Sequence, residues 1–86
     1  MLEIHYSEKA ADFLTKLNKK NKKDSRLIVS KIEAYARDPQ SVHIVPVVTT
    51  PYYRIKAGNY RIIIDRKWNI VDIIEIGGRG YIYRGY

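Results

Sequence analysis

The hydrophobic pattern changes period along the chain. Leu2, Ile4 and Tyr6 alternate with Glu3 and His5, the two-residue period of a half-buried strand. Ser7 follows as a helix N-cap, with Glu8 favourable in the first turn. Ala10, Phe13, Leu14 and Leu17 then recur at helical spacing and predict an amphipathic helix of roughly three turns. The run Lys19-Lys20-Asn21-Lys22-Lys23 interrupts that stripe. Asn21 or Asp24 can end one helix and start the next, and Asp24 or Ser25 suits the second N-cap. Ile28, Ile32, Tyr35 and Ala36 form a second apolar stripe, which Asp38-Pro39 ends. Two helices joined so closely make an αα-hairpin.

The second half returns to a strand period. Gln40 to Pro51 carries no charged residue, His43 being neutral, and is punctuated by Pro46 and Pro51. It reads as a covering segment or edge strand. Gly58-Asn59 then separates two runs rich in Tyr and Ile, a hairpin signal. With that pair as the turn, Ala57 pairs with Tyr60, Lys56 with Arg61, Ile55 with Ile62 and Arg54 with Ile63. Alternation puts Tyr53, Ile55, Ala57, Tyr60, Ile62 and Ile64 on a core face. Tyr52, Arg54, Lys56, Arg61 and Ile63 take the other face. After a turn near Lys67-Trp68-Asn69, the nearly continuous apolar run Ile70 to Ile76 predicts a central strand covered on both faces. Gly77-Gly78 is expected to break it. Tyr81, Ile82 and Tyr83 alternate as a short final strand. If the Ile70 strand lies beside the hairpin, Arg79 comes close to Arg61.

These elements predict an α+β fold: an N-terminal strand, an αα-hairpin, then a three- to four-stranded antiparallel sheet with the helices on one face. The 86 residues are expected to form a single domain, 1–86. There is no repeat, low-complexity tract or linker.

Charge alters this picture. The net charge is +7, high for the size, and points to an acidic partner such as nucleic acid or an acidic protein. Lys56 opposite Arg61, with Arg54 nearby, costs stability. One-sign clustering with no acid beside it is a binding feature more than a folding one, although such charges also occur on solvated sheet faces. The lysine cluster between the helices reads either as a solvated turn or as a phosphate grip. No stretch is long and apolar enough for a transmembrane helix. The start LEIHYSEKAADF has no signal-peptide pattern. Cysteine is absent, which fits a reducing cytoplasm. A cytoplasmic protein with no membrane partner is expected.

The chemistry is narrow. His5 and His43 are far apart and show no ligand spacing with Asp or Glu, so no metal site and no cofactor are expected. Gly77-Gly78-Arg79-Gly80 lacks the P-loop lysine spacing and a following helix. A Ser-His-Asp triad has nothing but composition behind it. What remains is Arg, Lys and Tyr. These suit RNA cleavage by the substrate's own 2′-hydroxyl, which needs a base, cations at the phosphorane and an acid for the leaving 5′ oxygen. Arginine gives planar bidentate donors to phosphate, clustered cations favour the neutral lysine that a base requires, and tyrosines stack on splayed bases. For Tyr53 and Tyr60, strand packing is the preferred reading.

Tyr53-Arg54-Ile55-Lys56, Gly58-Asn59-Tyr60-Arg61-Ile62-Ile63, Ile76-Gly77-Gly78-Arg79 and Ile82-Tyr83-Arg84, in this order, resemble the RelE/ParE toxin superfamily. The resemblance spans nearly the whole chain. It implies a toxin of a type II toxin–antitoxin pair, and its RelE-like branch consists of ribosome-dependent, metal-independent mRNA interferases. By position, Arg61 matches the arginine that stabilises the scissile phosphate, Arg79 the proposed general acid and Tyr83 the tyrosine that stacks on the substrate. Arg54 and Lys56 match a basic pair that binds phosphate and, in one scheme, supplies the base. Arginine is ordinarily a poor proton donor, so the Arg79 role comes from the resemblance alone. We take Arg61, Arg79, Tyr83 and Lys56 as candidate catalytic residues. Arg54, Lys19, Lys20, Lys22, Lys23, Tyr81 and Arg84 are candidate RNA-binding residues. Many relatives carry His or Lys where this chain has Gly78, which turns the base assignment to Lys56. Val45-Pro46-Val47-Val48 also lacks the Leu-x-Gly often found before the hairpin. The expected partners are an acidic cognate antitoxin, the ribosome and mRNA, with DNA met only through the antitoxin. A ParE-like inhibitor of DNA gyrase and an inactive RNA-binding member are the alternatives.

Overall fold

A computed structural model describes residues 1–78 of the chain. The final strand expected at Tyr81–Tyr83 and the site candidates Arg79, Tyr81, Tyr83 and Arg84 lie outside the described residues.

The order is β1 (Glu3–Tyr6), α1 (Glu8–Lys20), α2 (Lys22–Arg37), a 3-10 turn (Pro39–Ser41), β2 (Ile44–Pro46), β3 (Tyr53–Ala57), β4 (Tyr60–Arg66) and β5 (Ile70–Gly78). This is the α+β class expected. The sheet has five strands in the order β1-β5-β4-β3-β2. Four are antiparallel neighbours, but β1 joins as a parallel edge strand, Ile4 facing Val71. The αα-hairpin carries the chain across one sheet face and so permits this parallel partner.

The caps explain the helix boundaries. The Ser7 side chain accepts from the Ala10 amide at 3.0 Å, and its hydroxyl donates to the Ile74 carbonyl at 2.7 Å, fixing α1 to β5. Asn21 alone joins the helices. Its amide donates to the Leu17 carbonyl at 2.7 Å, and its side chain accepts from the Asp24 amide at 3.0 Å. Asn21 is therefore the second N-cap; Asp24 lies in the first turn and Ser25 is buried. Lys19 and Lys20 consequently close α1, and Lys22 and Lys23 open α2. The lysine cluster is helical rather than a loop. Asp38 caps the far end of α2 and also the Pro39 turn.

Both helical stripes meet one sheet face. Ala10, Ile28, Ile32 and Tyr35 form one cluster with Ile55, Ala57, Ile62, Ile64, Val71, Ile73 and Ile76. Tyr53 and Tyr60 pack against it, in line with the packing reading. The hairpin pairs as expected, Ala57 with Tyr60 through Arg54 with Ile63. Gly58 alone of the two turn residues has positive φ, at 60°, the pattern of a type II′ turn. Pro46 faces Tyr53 on edge strand β2, where its missing N–H costs no ladder bond.

Two expectations for β5 change. It is central, but only one face is fully covered, since Asp72, Ile74 and Glu75 stay part-exposed. Gly77 and Gly78 do not break it. They are its last residues, in register with Arg61 and Tyr60, because β4 extends far enough to supply a ladder partner. The β4–β5 register shifts between Ile63 and Ile64.

Candidate functional site

The second sheet face carries the expected cations. Lys56 on β3 is the direct partner of Arg61 on β4, and Arg61 is the direct partner of Gly77 on β5. Cross-strand partners share a face, so one row of the sheet reads Lys56, Arg61, Gly77. One step along, Arg54, Ile63 and Glu75 form the next row. Ile63 is fully buried but stands outside the core cluster, on this second face. Glu75 does not face Arg61; its carboxylate lies 3.5 Å from Lys9 Nζ.

Arg61 differs from the exposed cation that the alternation suggests. It is 8% exposed. Its Nη1 donates to the Tyr60 carbonyl at 3.2 Å and reaches the Gly58 carbonyl at 3.5 Å. Its Nε is buried and has no hydrogen-bond partner among the described residues. No described carboxylate pairs with it. Among the described residues this buried guanidinium has no counter-charge, a costly arrangement, and a donor without a described partner suits an oxyanion. Gly77 opposite adds no side chain to cover it.

The helix tip comes to the same end of the sheet. The Tyr60 hydroxyl donates to Asp24 Oδ2 at 2.8 Å, and the Tyr60 ring meets Phe13 edge-on at 6.1 Å. The hydrogen bond to Asp24, then burial, then the Asp24 charge, hold the Tyr60 phenol above its ordinary range. A Cβ on Gly58 would meet Leu27 Cδ2 at 3.0 Å, so α2 lies close on the hairpin turn. Lys19, Lys20, Lys22 and Lys23 are all exposed beside this junction. Lys20 also lines a groove whose opposite wall is Ile76, Gly77 and Gly78. Lys22 and Lys23 sit in the first turn of α2, where cations oppose the helix dipole, so folding gives no reason for them.

The described residues thus bring together Lys56, Arg61 and Arg54 on one face, with the four lysines at the adjoining helix tip. Asp24, read from sequence only as a helix cap, proves to be the tie between helix tip and hairpin; its 36-residue separation from Tyr60 left no local signal. His5 is an ordinary sheet residue that hydrogen-bonds Glu3 and faces Asp72 at 3.8 Å. Among the described residues no group of three His, Cys, Asp or Glu could hold a metal ion. No described helix is long and apolar enough to cross a membrane.

A small basic α+β domain face of this kind, backed by a helical hairpin, matches a known class. The profile of the family described as ParE toxin of type II toxin-antitoxin system, parDE, aligns with residues 4–83. The chain belongs to this family of type II toxin–antitoxin toxins, within the RelE/ParE superfamily. No curated protein sequence matches it. Solved structures share the fold at low identity. The archaeal RelE–RelB complex from Pyrococcus horikoshii OT3 superposes with a TM-score of 0.74 at 18% identity, covering 93% of this chain and 97% of that one. The chromosomal ParDE toxin–antitoxin system from P. aeruginosa gives 0.75 at 15%, covering 91% and 96%. The YoeB–YefM complex from Staphylococcus aureus gives 0.71 at 20%, covering 94% and 99%.

Proposed function

We propose that this toxin is a ribosome-dependent endoribonuclease that cuts mRNA through the substrate's own 2′-hydroxyl, without a metal. The observation that carries this reading is the Lys56–Arg61 pair, whose guanidinium is buried, has an Nε donor without a partner among the described residues and meets no described carboxylate. Lys56 takes the 2′ proton. The 2′ oxygen attacks the phosphorus, and Arg61 with Arg54 stabilises the charge on the phosphorane oxygens. The bond to the 5′ oxygen breaks, that oxygen takes a proton, and a 2′,3′-cyclic phosphate remains. Resemblance assigns the acid to Arg79 and substrate stacking to Tyr83, with Tyr81 and Arg84 on RNA. Lys19, Lys20, Lys22 and Lys23 hold flanking phosphates. The reaction takes place in the cytoplasm, within one domain, 1–86.

The cognate partner is an acidic antitoxin that covers the basic face, as RelB and YefM accompany their toxins in the two complexes above. DNA is met only through that partner. The family's own description, a ParE toxin, favours a second reading: inhibition of DNA gyrase by binding. Primer extension on translated mRNAs after brief induction, beside Arg61→Ala, separates the two. Codon-phased cuts that vanish in the variant support the nuclease. Intact mRNA with continued growth arrest overturns it in favour of gyrase.

A further inference from the structure

The cationic row does not stop at the edge of the hairpin. The β2 ladder ends where Ile44 faces Ile55, so Val42 and His43 leave the sheet beside the open edge of β3. On the other side α2 approaches the turn through Leu27, and Lys31 stands one helical turn further on the same helix face. Between them lies a cleft of about 410 Å³. Its polar lining is Lys31, His43, Arg54 and Lys56, its apolar wall Val42 and Val45, and no carboxylate lines it. Lys31, His43 and Lys56 are exposed, while Val42 belongs to the core and anchors the wall.

Lys31 and Lys56, both exposed, bring like charges to one cleft beside Arg54, a cost to folding that an anion held between them offsets. Lys56 lines the cleft and is also the partner of Arg61. Strands lie about 4.8 Å apart, so the cleft begins at Lys56, about 5 Å from Arg61, on the line Gly77, Arg61, Lys56 extended over the edge of β3. A single-stranded chain held at Arg61 and laid across the strands continues into it.

We infer that this cleft is a second phosphate subsite, in which Lys31 and His43, with Arg54, hold an RNA phosphate flanking the scissile one. The inference rests on the nuclease reading and deepens it. Lys31 and His43 act here as positioning residues, remote from the reacting bond.

The test uses the full chain and a labelled single-stranded octaribonucleotide with 2′-O-methyl riboses, which cannot be cut. Anisotropy is followed from 50 to 300 mM salt. Every phosphate that a variant leaves unneutralised lowers the log–log salt slope by about 0.7. Lys31→Gln is expected to lower the slope by that amount and to weaken binding several-fold at low salt, and Lys31→Arg to restore both. Lys67→Gln removes the same charge at the opposite end of β4 and is expected to change neither. Equal effects of Lys31→Gln and Lys67→Gln would mean that net charge alone matters and would overturn the subsite. So would an unchanged RNA slope in Lys31→Gln accompanied by lost binding of a glutamate-rich peptide, which would assign the cleft to an acidic protein. The nuclease reading fails separately, by intact mRNA under growth arrest in the unsubstituted chain. All these positions are exposed, so matching thermal midpoints establish that folding is unaffected.

Discussion

The two ends of β4 treat positive charge in opposite ways. At the far end, Arg66 donates from Nη1 to the Tyr35 hydroxyl at 3.3 Å, and Lys67 Nζ lies 3.1 Å from Asp72. The Asp72 hydrogen bond and charge, followed by Asp65, hold the Lys67 ammonium above its ordinary range. At the hairpin end, Arg61 faces Lys56, and its described acceptors are backbone carbonyls. One strand therefore shows what folding does with a cation when nothing else is asked of it: it supplies a carboxylate or hydroxyl. The end that departs from this rule is the end that the αα-hairpin crowds with four further lysines.

The contrast breaks most sharply through activity. Arg61→Ala is expected to lower the cleavage rate by about 10²–10³-fold, the usual cost of one oxyanion donor, in a ribosome-coupled cleavage assay. Lys67→Gln, an equal loss of charge, should leave the rate unchanged. If the two variants lose activity alike, the difference between the ends has no catalytic meaning.

Gly58→Ala comes next. It places a side chain at φ 60° and within 3.0 Å of Leu27 Cδ2, and should cost about 1–3 kcal/mol in urea unfolding. It should also loosen α2 from the hairpin, which protease susceptibility near Gly58 would report. Lys56→Glu sharpens the comparison in the other direction. It supplies the hairpin end with the acid that the far end already has, and should stabilise the fold by about 0.2–1 kcal/mol while weakening RNA binding. A destabilised variant would show that the Lys56–Arg61 pair is not repulsive.

The smallest effect concerns alkaline pH. The Tyr60 phenol titrates above its ordinary value, chiefly through its hydrogen bond to Asp24. In the unfolded chain it loses its proton first, near pH 10. The stability gained is thus complete below about pH 10 and is lost as pH rises from there through the raised folded value. Asp24→Ala removes the largest cause, so its unfolding midpoint should fall less steeply than the parent's above pH 10. Tyr6, raised by burial and then by Glu33, contributes equally to both proteins and cancels. Parallel curves would separate Tyr60 from Asp24 in solution.

What the sequence by itself determined was local. The Gly58-Asn59 turn set the β3–β4 register, because a two-residue loop leaves only one pairing that keeps Ile55, Ile62 and Ile64 together inside. Ser7 and Asp38-Pro39 marked their helix ends, because a cap acts on amides within three residues. The facing of Lys56 and Arg61 followed from that register. The tertiary structure decided the rest, because each remaining feature depends on groups distant in sequence. No local signal distinguishes a parallel from an antiparallel partner for β1. Gly77 and Gly78 stay in β5 only because β4 reaches them, and the Ile63/Ile64 register shift is likewise a property of two strands. The burial of Arg61, the tie from Tyr60 to Asp24 and the convergence of Lys31 with His43 arise where α2 lies close on the hairpin turn, and charge at that junction is a matter of packing between elements rather than of period within one.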